Sequence, residues 1–223
     1  MSKIEPRQHA FDPDFTCSRC ARLVQFRVEA EKHCPGGFNL AVPSYGDLDA
    51  WLLIVGLAPG MHGANRTGRP FTGDQSGALL FKTLGKFNLA QGTYSSHALT
   101  ELALDGVLIT NAVRCLPPEN KPLLEEVYNC APYLSAAIAQ LSQLKVILCL
   151  GKVAHDATVR ALGQRLSKAP FGHAAMHSFG QYILLDSYHC SRYNVNTKRL
   201  TESMFEAVFA KAIALAGRAH KTA

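Results

Sequence analysis

The sequence lacks any segment suited to targeting or to crossing a membrane. Its first residues, 1–7, contain no apolar core of the kind that signal peptides have, and no apolar run approaches the roughly 18 residues that a transmembrane helix needs. There is also no internal repeat, no low-complexity segment and no basic tail. We therefore expect a folded cytoplasmic protein that makes no contact with a membrane.

Acidic residues are in the minority. The 223 residues include 23 Lys and Arg against 17 Asp and Glu, which gives a formal net charge of +6. This balance favours a polyanionic partner, and because the basic residues are scattered we expect a folded basic groove rather than a disordered arm. With 48% hydrophobic residues the chain can bury one full core, so we predict a single domain spanning 1–223.

Seven cysteines in a reducing compartment are not expected to form disulfides, so metal binding, catalysis or packing must explain them. Cys149 lies within an apolar run and is expected to pack as a small hydrophobe. Cys190 directly follows His189, and neighbours in extended chain point to opposite sides, so the two make a poor nucleophilic pair. Four others include a C-x-x-C pair and suit either an iron-sulfur cluster or tetrahedral zinc, although unrelated core positions would also explain them. These four are Cys17, Cys20, Cys115 and Cys130.

Four short apolar runs alternate with segments of helical periodicity, which predicts an α/β fold with a buried parallel sheet. The runs are Trp51–Val55, Val107–Thr110, Val146–Leu150 and Tyr182–Asp186. We predict three α/β/α layers around a central four-stranded, mainly parallel sheet. A final helix near residues 205–216 should dock on this sheet, and Pro132 should kink or break the helix predicted over 123–144.

Two loops at the carboxyl ends of predicted strands should enclose a cleft, where open α/β sheets bind ligands. The first runs from Gly56-Leu57-Ala58-Pro59-Gly60 to Arg69-Pro70-Phe71-Thr72-Gly73-Asp74, and the second is His189-Cys190-Ser191-Arg192-Tyr193-Asn194. The glycines of the first loop match neither G-x-x-x-x-G-K-[ST] nor G-x-G-x-x-G, so neither common mode of nucleotide binding is indicated.

With the four cysteines and the segment Asn111-Ala112-Val113-Arg114-Cys115, these loops resemble those of the uracil-DNA glycosylase superfamily, most closely its family 5. The resemblance covers about Cys17 to Leu200. It implies a monofunctional DNA-repair enzyme that hydrolyses the N-glycosidic bond of uracil and related deaminated bases, with hypoxanthine among them. It also implies that the four cysteines bind a [4Fe-4S] cluster, with zinc as the lesser alternative, and that the protein is a monomer acting on DNA at the nucleoid.

The resemblance assigns the pocket residues one by one. His189 is expected to stabilise charge on the uracil O2, Asn111 to read the O4 and N3-H edge, and Phe71 to stack on the flipped base. Leu57 and Ala58 stand where other families carry a water-activating side chain, so Asp74 becomes the candidate for that role. Simpler roles exist for each residue: a packing histidine, a turn asparagine, a core phenylalanine and a helix-capping aspartate. The predicted base contacts are Gly56, Leu57, Ala58, Gly60, Phe71, Asn111 and His189.

Tyr193 falls where the superfamily places the side chain that wedges into the duplex, and an ordinary surface tyrosine is the alternative. The predicted DNA contacts are Arg66, Arg69, Ser191, Arg192, Tyr193 and Asn194. Two other functions remain open from the residues alone. One is a module that holds a flipped base without cleaving it, and the other is an electron-transfer protein, for which two distant cysteine pairs and a large cleft are more than is needed.

Overall fold

The computed structural model describes residues 6–92, 94 and 102–218, and within them a six-stranded mixed sheet forms the centre of the fold. Its strands, in the spatial order β1-β5-β2-β6-β8-β7, are β1 (Tyr45–Gly46), β5 (Val107–Asn111), β2 (Leu52–Gly56), β6 (Val146–Leu150), β8 (Tyr182–Ser187) and β7 (Met176–Phe179). A separate two-stranded ribbon pairs β3 (Ala90–Gln91) with β4 (Ala103–Leu104). The four central strands of the large sheet run parallel, as predicted.

The sheet therefore has six strands where four were predicted. The additional strands, β1 and β7, pair antiparallel to β5 and β8 at the two edges. Only two residues form β1, and β7 alternates between exposed and half-buried residues, so neither contains the continuous apolar run of a doubly covered strand. The segment 33–49, which contains several Gly and Pro residues, contributes β1 to one of these edges.

Seven α-helices are present in the described residues: α1 (Ala21–His33), α2 (Ala64–Thr67), α3 (Gln75–Lys86), α4 (Leu124–Gln140), α5 (Lys152–Ala161), α6 (Arg192–Asn196) and α7 (Glu202–Leu215). Of the predicted kink or break at Pro132, the break is absent, because the 17-residue helix α4 runs through Pro132 without interruption. A proline costs one backbone hydrogen bond, and burial of Leu134, Ala137 and Ile138 holds the helix on the sheet regardless. Helix α1 was not predicted.

The helices cover both faces of the sheet, which confirms the three-layer α/β/α class. Alternate side chains of each central strand point to opposite faces. In β2, Leu53 and Val55 join the core that includes residues of α4 and α5, whereas Leu52 and Ile54 join the core with α3 and α7. Helix α7 docks as predicted, with Phe205 and Phe209 fully buried. The ends of the predicted domain, 1–5 and 219–223, lie outside the described residues, and the single domain stays a prediction.

Candidate active site

A cavity of about 540 Å³ opens at the carboxyl ends of the parallel strands. Parallel strands end at one edge of the sheet, so the loops after β2, β5 and β8 meet there. Residues predicted from all three loops line it: Leu57, Ala58, Gly60, Phe71, Asp74, Asn111, His189 and Ser191. The structure therefore brings the proposed catalytic residues together around one space large enough for a nucleobase.

Gly56 allows two side chains of the site to approach the end of β2 closely. It pairs with Asn111 across β2 and β5, and a Cβ at position 56 would lie 2.4 Å from the Asn111 Oδ1 and 2.6 Å from the Phe71 ring. Asn111 and Phe71 are both buried, and Phe71 has a positive φ of 55°. Gly56 thus acts through its missing side chain, because only glycine lets the carboxamide and the ring approach the strand end this closely.

His189 lies two residues beyond the end of β8, with its ring 6.0 Å from that of Phe71 at an interplanar angle of 26°. Neither ring nitrogen has a hydrogen-bond partner among the described residues. Burial lowers the pKa of His189 to about 4, because desolvation disfavours the imidazolium. The ring is therefore neutral at physiological pH, when it offers one N–H donor to a ligand in the cavity.

Asp74 serves two sides of the site at once. Its Oδ1 accepts a hydrogen bond of 3.0 Å from the backbone N–H of Gly77 and so caps α3. Its Oδ2 faces the other way, toward the loop after β2, where a Cβ at Gly63 would lie 2.6 Å from it. Burial raises the pKa of Asp74. The capping role and a role in the cavity are thus compatible, since they use different oxygens.

The loop after His189 leads directly into α6. Ser191 lines the cavity and caps this helix by accepting a bond from the Asn194 N–H. Arg192 is exposed, and Tyr193 exposes 72% of its surface, as a side chain meeting DNA would. The Asn194 side chain instead donates a 2.8 Å hydrogen bond to the His189 backbone carbonyl.

Arg66 and Arg69 do not line this cavity. The Arg66 Nε donates to the His62 carbonyl at 3.0 Å, and the Arg69 guanidinium lies 4.3 Å from the centre of the Tyr45 ring. Arg69 borders a second cavity of about 170 Å³ instead. Of the predicted DNA contacts, Ser191 therefore lines the main cavity, whereas Arg66 and Arg69 do not.

Six further residues line the main cavity and were not predicted: Met61, His62, Gly63, Ala64, Ser76 and Asn120. Met61 and His62 follow directly on the first motif, so its extension by two residues would have found them. Asn120 comes from the loop after β5, in a short 3-10 segment (Pro118–Asn120), and it has a positive φ of 56°. Asparagine tolerates this conformation, and a turn-forming Pro-Glu-Asn gives no sequence signal for a cavity position.

The four cysteines predicted to bind a metal group line one small cavity, together with Arg114. Polar groups approach their sulfurs: Arg27 Nη1 lies 3.8 Å from the Cys115 Sγ, and Asn129 Nδ2 lies 3.5 Å from the Cys20 Sγ. Burial raises the pKa of the Cys115 thiol to about 12. Among the described residues, no three Cys, His, Asp or Glu side chains stand close enough together to hold a single metal ion.

Cys149 and Cys190 lie outside the cavity that the four cysteines line. Cys149 is fully buried in β6, and its thiol lies 3.3 Å from the Thr158 hydroxyl. Cys190 is buried, and its thiol lies 3.5 Å from the Ser76 carbonyl oxygen. None of the helices in the described residues has the length and apolarity needed to span a membrane.

An α/β/α fold with a cavity at the carboxyl ends of its parallel strands supports many activities, and sequence comparisons identify the family. The profile of the Uracil DNA glycosylase superfamily matches residues 43–213. A type-5 uracil-DNA glycosylase of Thermus thermophilus is 44% identical, over 90% of this chain and 94% of its own. A type-5 uracil-DNA glycosylase of Pyrobaculum aerophilum is 38% identical, over 90% of this chain and 89% of its own. A type-4 uracil-DNA glycosylase of Sulfurisphaera tokodaii is 28% identical, over 86% of this chain and 79% of its own. The chain belongs to the uracil-DNA glycosylase superfamily, in its type-5 branch.

Proposed function

We propose that this protein is a monofunctional DNA glycosylase that hydrolyses the N-glycosidic bond of uracil and related deaminated bases in DNA, as a step of base-excision repair. The observation that carries this proposal is the convergence of Asp74, Asn111 and His189 on one cavity. These side chains come from three different strand ends, and together they offer a carboxylate, a carboxamide and a neutral imidazole to a single ligand.

A base inside a duplex cannot reach this cavity, so it must first leave the stack at a cost of about a few kcal/mol. Phe71 offers a ring face on which the flipped base stacks, and the Asn111 carboxamide supplies the donor and acceptor that match the O4 and N3-H edge of uracil. Tyr193, exposed beside the cavity, is suited to fill the gap in the duplex, since base-aromatic stacking contributes about 1–3 kcal/mol.

The reaction breaks the bond between the deoxyribose C1′ and the base nitrogen, and the bonding electron pair leaves with the base. Negative charge then develops on the uracil O2, where the neutral His189 donates a hydrogen bond. Water adds through its oxygen to the cationic C1′ and releases a proton. Asp74 accepts that proton, and its raised pKa makes it a stronger base than an exposed aspartate.

Leu57 and Ala58 line the cavity without offering any group that could orient water. This leaves Asp74 as the carboxylate of the site. The same apolar wall leaves space beside the base and makes few specific contacts, so we propose that hypoxanthine is also accepted.

The test is release of uracil from a labelled uracil-containing duplex, followed by alkali, which cleaves the strand at abasic sites. We expect cleavage at the uracil and none in a matched thymine duplex. His189→Ala should lower the single-turnover rate by about 100-fold or more, the usual effect of losing one donor to developing negative charge. DNA binding without any cleavage would instead support a module that holds the base.

We further propose that Cys17, Cys20, Cys115 and Cys130 bind a [4Fe-4S] cluster that ties α1, the loop after β5 and α4 together. The four thiols line one cavity. Four cysteine thiolates are the ligand set of a [4Fe-4S] cluster, and tetrahedral zinc accepts the same four.

Arg114 gives a second reason for an anionic group in this cavity. Its Nη1 bonds to the buried Asp12 and Ser44 at 2.8 and 3.0 Å, while its Nη2 is buried without a partner in the described part of the chain. A buried guanidinium nitrogen without an acceptor costs free energy, and a cluster with four thiolates would supply the missing negative charge.

Iron and sulfide analysis of protein purified without oxygen tests this proposal. We expect about four iron atoms per chain and a brown colour, both lost in Cys130→Ser. Cys34→Ser is the control, because Cys34 does not line this cavity. One zinc per chain and no iron would overturn the cluster and keep the four-ligand site.

A further inference from the structure

The Asn194 side chain holds the backbone of His189. Its Nδ2 donates a 2.8 Å hydrogen bond to the His189 carbonyl oxygen, five residues earlier in the chain. A carbonyl only accepts hydrogen bonds, so the amide nitrogen must face it, and an ionised aspartate of the same shape cannot replace it. Asn194 itself is fixed in the first turn of α6, whose cap is Ser191.

His189 depends on such support because the sheet no longer holds it. The last residue of β8 in register with β6 is Ser187, and His189 lies two residues farther on. Its ring has no hydrogen-bond partner in the described ranges, so packing and the backbone alone set its position. On one side is Phe71, and on the other is Gly151, where an added Cβ would lie 3.3 Å from the His189 Cβ.

We infer that Asn194 is a positioning residue for His189 and not a DNA contact. The inference rests on the proposed function, since His189 is the group whose placement matters for leaving-group stabilisation. Because Asn194 and Tyr193 are neighbours on α6, the same hydrogen bond also links the wedge to the histidine of the cavity.

The chain offers a matched control. Asn196 is exposed at the end of the same helix, so Asn196→Asp makes the same chemical change two residues away. Both Asp variants add one negative charge near the DNA, and their affinities for a non-cleavable uracil-analogue duplex should agree within about twofold. The single-turnover rate of Asn194→Asp should be about 10- to 100-fold below that of Asn196→Asp, because a misplaced catalytic group loses rate steeply.

Asn194→Ala and Asn196→Ala repeat the comparison without a change of charge. If circular dichroism shows that Asn194→Asp is unfolded, the cleavage rates of the two Ala variants test the inference in its place. The same Asn194 changes are then made in His189→Ala. If Asn194 acts through His189, its substitution in the His189→Ala variant should lower the cleavage rate by less than about twofold.

An equal loss of rate with and without His189 would overturn the inference, as would a loss of DNA affinity alone in Asn194→Ala, which would make Asn194 a DNA contact. Rates equal to those of the Asn196 variants would overturn it as well. Failure of the proposed function is a separate result, namely that the unaltered protein releases no uracil at all.

Discussion

Gly56→Ala tests whether the close approach at the end of β2 is required for activity. The added Cβ would lie 2.4 Å from the Asn111 Oδ1 and 2.6 and 2.7 Å from two carbons of the Phe71 ring. Ordinary contacts of a Cβ begin near 3.4 Å. The carboxamide and the ring must therefore each move by nearly 1 Å, or the strand end must shift.

The structure sets the expected size of both effects. A displacement of about 1 Å in groups that position a substrate can cost about 100-fold in rate. Overpacking a buried site by one methyl costs about 1–3 kcal/mol of stability, which for a domain of this size lowers the melting temperature by about 2–12 °C. Activity should therefore fall far more than the folded fraction does at assay temperatures well below melting.

The assay is single-turnover release of uracil from a duplex at saturating enzyme, beside thermal unfolding. Gly85→Ala is the matched control, because Gly85 lies in α3 with no atom within 4 Å of an added Cβ. It should keep full activity and gain about 0.5–1 kcal/mol of stability. A folded Gly56→Ala that releases uracil at nearly the normal rate would show that the positions of Asn111 and Phe71 do not limit catalysis.

Asp74→Asn should lower the cleavage rate far more than DNA affinity; near-normal turnover would leave Asp74 as a helix cap only. The residual rate of that variant should stay level from about pH 7.5 to about pH 5.5, because burial lowers the pKa of His189 to about 4, and a fall centred near the ordinary histidine pKa would contradict a neutral ring. Tyr193→Ala should slow excision of uracil opposite adenine most and single-stranded uracil least, whereas equal losses would place the wedge elsewhere in the loop. Binding to duplex DNA should weaken steeply with salt, and a log-log slope near zero would exclude phosphate contacts, each of which adds about 0.9.

The sequence alone determined the parallel centre of the fold and most of the cavity. Continuous apolar runs identify strands that are covered on both faces, and parallel strands necessarily end at one edge of the sheet. For that reason the sequence places Leu57, Asp74, Asn111 and His189 at one cleft. The edge strands escaped prediction since β1 is two residues long and β7 is only partly buried.

Tertiary structure decided what each residue contacts. It gave one oxygen of Asp74 a helix-capping hydrogen bond, and it placed the Asn194 amide within hydrogen-bond distance of the His189 carbonyl oxygen. It also brought Asn120 to the cavity from a loop without a sequence signal. Residue type and spacing specify which groups are available, but the direction of a loop side chain depends on packing between segments distant in sequence, and only the folded chain brings those segments together.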